Sequence, residues 1–127
     1  MSDPRVRLLF EPKSVAIVGA SSDPTKASGL PLRNIANSKF TGKIYPVNPR
    51  ASEISGLTCY PTVSALPEAP DVAILMVDAK LSPEVLEECG RKGVKAAIIG
   101  SAGFSESGPE GQERQERLGD IAKTYNI

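Results

Sequence analysis

Four short apolar runs divide this 127-residue chain, and they constrain its fold more than any other feature. They are SVAIVGA at 14–20, KIYPVN at 43–48, DVAILMV at 71–77 and VKAAIIG at 94–100. The first is continuous and β-branched at Val15, Ile17 and Val18. Such a run suits a strand buried on both faces, as in a parallel sheet covered by helices. The second run contains Pro46, which cannot donate to a ladder, so it is expected near a sheet edge.

Helical patterns fall between the runs. Residues 29–40 place Leu32, Ile35, Ala36 and Phe40 on one face, with Pro31 in the first turn. Ser82, Pro83 and Glu84 read as N-cap, first helical residue and acidic first-turn residue, followed by inward-facing Val85, Leu86 and Cys89. That helix is expected to stop between Gly90 and Gly93. A last helix begins near Pro109 and carries Leu118, Ile121, Ala122 and Tyr125 at i, i+3, i+4 and i+7. Residues 61–70, PTVSALPEAP, are too short and proline-rich for more than one helical turn.

This alternation predicts an α/β fold: a Rossmann-like open parallel sheet with helices on both faces and strand order 2-1-3-4. In such sheets ligands bind outside the carboxyl ends of the strands, where the winding reverses. Residues 1–127 are read as a single domain. The final TYNI has the character of a strand onset after a helix. This unfinished βα pattern predicts that the chain is a fragment of a longer protein.

Composition narrows the chemistry. Lys+Arg and Asp+Glu are equal at 15 each, so no basic surplus points to nucleic acid. There is no membrane-length apolar run and no signal-peptide core in MSDPRVRLLFEPKSV, so a cytoplasmic location is expected. Cys59 and Cys89 form no metal-type pair and read as reduced core thiols. No metal ligand set is expected. There is no histidine, which removes the commonest general base and any phosphohistidine relay within these residues. The chain by itself is expected to bind and not to catalyse, with no catalytic residue.

The strand ends supply the candidate site. After the first run come Gly19, Ala20, Ser21, Ser22 and, further on, Lys26. Gly19 permits a tight turn, small-residue amides and serine hydroxyls can cradle an anion, and Lys26 adds charge. The pattern matches neither G-x-G-x-x-G nor G-x-x-x-x-G-K-[ST]. After the second run come Asn48 and Arg50, where an NAD site would place an acid for the ribose. A guanidinium there suits a ribose that carries phosphate, as in NADP or coenzyme A. Asp78, after the third run, either faces the crevice or starts the turn. The fourth run opens into a glycine-rich loop with Gly100, Gly103, Gly108 and Gly111.

The combination is more specific than any of its parts. LFEPKSVAIVGASSDPTKASG, GKIYPVNPRASEISGLTCYPTVSALPEAPDVAIL and VLEECGRKGVKAAIIGSAGFSESGPEG together cover nearly the whole chain. They resemble the N-terminal CoA-binding domain of the ADP-forming acyl-CoA synthetases, a family related to the α subunit of succinyl-CoA synthetase. The resemblance implies a Rossmann-like domain that binds coenzyme A or acyl-CoA. Gly19, Ala20, Ser21, Ser22 and Lys26 would then line the diphosphate. Val47, Asn48 and Arg50 would meet the adenosine 3′-phosphate end. Val77 would touch the adenine or pantetheine, and Ser101, Ala102 and Gly103 would lie near the thiol end.

The family reaction interconverts acid, CoA and ATP with acyl-CoA, ADP and phosphate. The resemblance implies that a phosphohistidine-bearing domain and an ATP-grasp domain, in the same or a partner chain, carry the chemistry. Relatives often carry lysine where this chain has Arg50, and proline where it has Asp78. Ala102 stands where succinyl-CoA synthetases carry a glutamate that steadies phosphohistidine, so that role is not assigned here. Three other readings compete: a regulatory CoA-binding module fused to a protein acetyltransferase, an NADP-binding oxidoreductase or redox-sensing Rossmann domain, and a stand-alone CoA-binding protein with no further domains.

Overall fold

The computed structural model describes residues 12–20, 41–54, 56–100 and 108–127. Strands β1 (Ser14–Val18), β2 (Lys43–Val47), β5 (Val72–Leu75) and β6 (Ala96–Ile99) form one sheet in the order β2-β1-β5-β6. Every pairing in it is parallel, with Ile17 level with Pro46 on one side and Ile74 on the other. The four apolar runs thus become the four strands, in the expected order. The Pro46 strand lies at an edge, where a missing donor costs no interior ladder bond. The regular pairing is shorter than the runs, because their last residues are the turns that line the crevice.

Two clusters form the core, one on each face of the sheet. Ala16, Val18, Tyr45, Val47, Ala73 and Leu75 meet Leu86, Cys89 and Leu118 on the first face. Those last three residues come from helices α1 (Ser82–Lys92) and α2 (Pro109–Tyr125), which pack on each other. Their contact is close at Gly90, where a β-carbon would stand 2.6 Å from Tyr125 Cβ. On the second face Val15, Ile17 and Ala20 pack with Ile54 and Cys59. The helix expected over 29–40 lies outside the described residues.

Local details depart from expectation in two places. Ser82 is not the N-cap of α1. Leu81 holds that position, and the buried Ser82 hydroxyl donates to the Ala79 carbonyl at 2.7 Å. Pro83 therefore falls at the second helical position, which still needs no N–H donor. The helix ends as expected, at Gly93 with φ +100°. The second departure is a small antiparallel hairpin, β3 (Glu53–Ile54) with β4 (Leu57–Thr58). Two-residue strands leave no periodicity to read.

Residues 61–70 form turns, as expected, and side chains of α1 and β2 fasten them in place. Glu88 accepts from the Val63 N–H at 3.0 Å. Lys92 donates to the Ser64 and Leu66 carbonyls. The Tyr45 hydroxyl and Lys43 Nζ both donate to Glu68 Oε2, at 2.7 and 3.0 Å. Those two bonds hold the Glu68 carboxyl below its ordinary range.

Both cysteines are buried and free, in keeping with core thiols. Burial, followed by the nearby Glu88 charge, pushes the Cys89 thiol up to about 12. Burial, followed by the hydrogen bond to Glu68, pushes the Tyr45 hydroxyl up to about 12. Each group holds its proton more tightly folded than unfolded, where the ordinary values are 9.0 and 10.0. The stability they contribute is complete below pH 9 and is lost as pH rises toward 12. Denaturant midpoints measured from pH 8 to 11 are expected to fall above pH 9. The limiting slope is about 1.4 kcal/mol per pH unit per proton. Cys89→Ala is expected to remove the part of the fall that begins at pH 9. An unchanged profile in that variant would contradict the assignment.

Candidate ligand-binding site

Three main-chain hydrogen bonds continue the sheet beyond its strands and align the four carboxyl ends. Gly19 N–H donates to Val47 O at 2.8 Å, Met76 N–H to Val18 O at 2.8 Å, and Gly100 N–H to Leu75 O at 2.9 Å. The ends of β1, β2, β5 and β6 are thereby held in one row, with β1 the central strand from which the chain winds both ways. The row is the crevice that open parallel sheets use for ligands.

Gly19 has φ +86°, and a β-carbon on it would stand 2.5 Å from the Met76 carbonyl oxygen. Only glycine meets both conditions. Its own N–H is engaged by Val47, so what Gly19 offers a ligand is close backbone approach and not a donor. A β-carbon on Gly100 would likewise collide with Met76 Sδ. Met76 thus sits between two glycines where the strands end.

The turn after β2 is built by its sequence. Asn48 and Pro49 occupy the first two positions of a turn closed by Ala51 N–H donating to Asn48 O at 3.4 Å, and these residue types favour those positions. The Asn48 amide reaches both ways. Nδ2 donates to Ala20 O at 2.9 Å, and Oδ1 accepts from the Arg50 N–H at 2.8 Å. Its main-chain N–H donates to Tyr60 O at 2.9 Å, and Tyr60 N–H donates to Pro46 O at 3.0 Å. The Cys59 thiol lies 3.6 Å from Asn48 O. Burial raises the Cys59 thiol above its ordinary range, so it remains protonated behind the turn.

Arg50 is exposed, and among the described residues no hydrogen bond or ion pair engages its guanidinium. Val77 is half-buried against the main core at the end of β5. Asp78 resolves as a turn residue: Oδ1 accepts from Lys80 N–H at 3.0 Å and its carbonyl accepts from Leu81 N–H.

Of the expected site residues, the structure brings Gly19, Ala20, Val47, Asn48, Arg50 and Val77 to the carboxyl edge of one sheet. Ser21, Ser22, Lys26, Ser101, Ala102 and Gly103 lie outside the described residues. Lys80 was not among the expected ligands. It projects from the turn after β5 and lines an open cavity of about 420 Å³ with Pro83, Glu110 and Arg117. Among the described residues no cluster of His, Cys, Asp or Glu could hold a metal, and no helix is long and apolar enough to cross a membrane.

The carboxyl edge of the sheet thus carries a glycine with close main-chain approach after β1, an exposed, unengaged guanidinium after β2 and the half-buried Val77 after β5. A family model described as a CoA binding domain matches residues 13–127. The chain is 48% identical over 124 residues to acetate–CoA ligase (ADP-forming) II of Archaeoglobus fulgidus, covering 98% of this chain and 18% of that protein. It is 42% identical to the α subunit of acetate–CoA ligase (ADP-forming) I of Pyrococcus furiosus, covering 94% of this chain and 27% of that one. The dinucleotide-forming acetyl-coenzyme A synthetase 1 of Ca. Korarchaeum cryptofilum, solved in complex with phosphate and ADP, superposes with a TM-score of 0.92. Their identity is 42%, over 100% of this chain and 26% of that one. The chain therefore spans about a quarter or less of the length of these relatives, and over that span it belongs to the family of CoA-binding domains.

Proposed function

We propose that this chain binds coenzyme A or an acyl-CoA along the carboxyl edge of its sheet, as the CoA-binding part of an ADP-forming acid–CoA ligase. The family match over residues 13–127 carries the reading. Gly19, Arg50 and Val77 stand at the carboxyl edge of the sheet, which is consistent with it, and the rest of the placement follows the resemblance. Gly19 would let the diphosphate approach the main chain beside Ala20, and the resemblance assigns Ser21, Ser22 and Lys26 to the same diphosphate. Arg50 faces the adenosine 3′-phosphate. Val77 would support the adenine or pantetheine, and the resemblance assigns Ser101, Ala102 and Gly103 to the thiol end.

Histidine is absent from this sequence, so a phosphoryl relay and nucleotide chemistry come from phosphohistidine-bearing and ATP-grasp domains, in the same or a partner chain. The ligand placement is tested by amide chemical shifts during a CoA titration. The largest changes are expected at Gly19, Ala20, Arg50 and Val77. A second cavity, of about 330 Å³, lies at the outer edge of β2 between Tyr45, Leu57 and Tyr60. Largest changes at that cavity would place the ligand elsewhere and contradict the reading.

A further inference from the structure

We infer that Asn48 is a positioning residue, which acts on the ligand by fixing the direction in which the Arg50 guanidinium is presented and by tying that turn to the segment after β1. The inference rests on the CoA reading above and deepens it. It starts from the two bonds of one amide. Nδ2 holds Ala20 O, 28 residues away in sequence, and Oδ1 holds the Arg50 N–H. The Asn48 main chain is tied too, to Tyr60 through its N–H at 2.9 Å and more loosely to Ala51 through its carbonyl at 3.4 Å. The side chain is thus directed at protein main chain on both sides.

The arrangement has a chemical consequence. The Oδ1 bond lies inside the turn, and it sets the main chain of Arg50 from which an otherwise unengaged guanidinium departs. The Nδ2 bond anchors that turn to the segment after β1, where Gly19 and Ala20 stand. One amide therefore fixes the separation between the proposed diphosphate end and the proposed 3′-phosphate end. A carboxylate cannot donate to Ala20, and a serine is too short to span both partners. Holding a charged group in its bound direction before the ligand arrives strengthens binding without any new contact.

The test compares two ligands, coenzyme A and 3′-dephospho-CoA, by calorimetry on the folded chain. The quantity read is the preference, the ratio of the two dissociation constants. Asn48→Ala is expected to lower the preference by about threefold or more, in the direction of Arg50→Ala. The double variant Asn48→Ala/Arg50→Ala is expected to show no further loss of preference, because both changes act on one interaction. A purely structural role would weaken both ligands alike and leave the ratio as in the parent chain.

Asn48→Ser supplies a second arm should the alanine variant not fold. Serine at this turn position keeps an acceptor for the Arg50 N–H and gives up the bond to Ala20. It is expected to keep most of the preference while binding both ligands more weakly. If Arg50→Ala loses the preference and Asn48→Ala keeps it, the inference is overturned and the CoA reading stands. If Asn48→Ser loses the preference as fully as Arg50→Ala, the role of the Oδ1 bond is likewise overturned. If the parent chain shows no preference, the placement of the 3′-phosphate at Arg50 fails, and the inference with it.

Discussion

Gly19→Ala is expected to destabilise the fold by about 2–5 kcal/mol, from two separable causes. A left-handed φ costs a non-glycine residue about 1–2 kcal/mol, and Gly19 sits at +86°. The added methyl would also stand 2.5 Å from a main-chain carbonyl, that of Met76, in place of a side chain that could turn away. Overpacking of this kind costs about 1–3 kcal/mol. Gly56 separates the two causes. Its φ is +81°, and among the described residues an added methyl would meet nothing within 4 Å, so Gly56→Ala bears the backbone cost alone. Unfolding free energies from urea titrations of the two variants are expected to differ by about 1–3 kcal/mol. Equal losses would mean that the approach of β1 to β5 at their carboxyl ends is looser than the structure shows.

Arg50→Ala carries the largest expected effect on binding. A charge-assisted hydrogen bond to phosphate contributes about 1–3 kcal/mol, or roughly a five- to 150-fold change in affinity. Arg50 is exposed, so screening brings the expectation toward the low end, and salt weakens it further. The loss is expected for coenzyme A and nearly absent for 3′-dephospho-CoA, which keeps adenine, diphosphate and pantetheine. Lys26→Ala is expected to weaken both ligands alike, because its proposed partner is the diphosphate that both carry. Full retention of the preference for coenzyme A in Arg50→Ala would place the 3′-phosphate elsewhere.

The strands were legible because burial on both faces demands apolar runs, and 14–20, 43–48, 71–77 and 94–100 each contain one. Strand order followed from the crossovers, and the edge position of β2 from Pro46. Gly93 as the end of α1 was legible for the same local reason, a residue free to adopt positive φ. The hairpin at 53–58 was not legible, because two-residue strands have no period. The role of Ser82 was misread because its hydroxyl turns back to Ala79 instead of forward to its own helix. In the site, residue types showed which chemistry was available, and long-range contacts decided how it is deployed. Nothing local in VNPR reveals that the Asn48 amide reaches Ala20. Nothing local in VGAS reveals that the Gly19 N–H is engaged by Val47.

The most direct measurement is a calorimetric titration of the chain with coenzyme A and, separately, with NADPH and NADH. The CoA reading predicts saturable single-site binding of coenzyme A, with weaker or absent binding of both nicotinamide nucleotides. NADPH binding as tight as coenzyme A, or tighter, would contradict it and return the crevice to a dinucleotide.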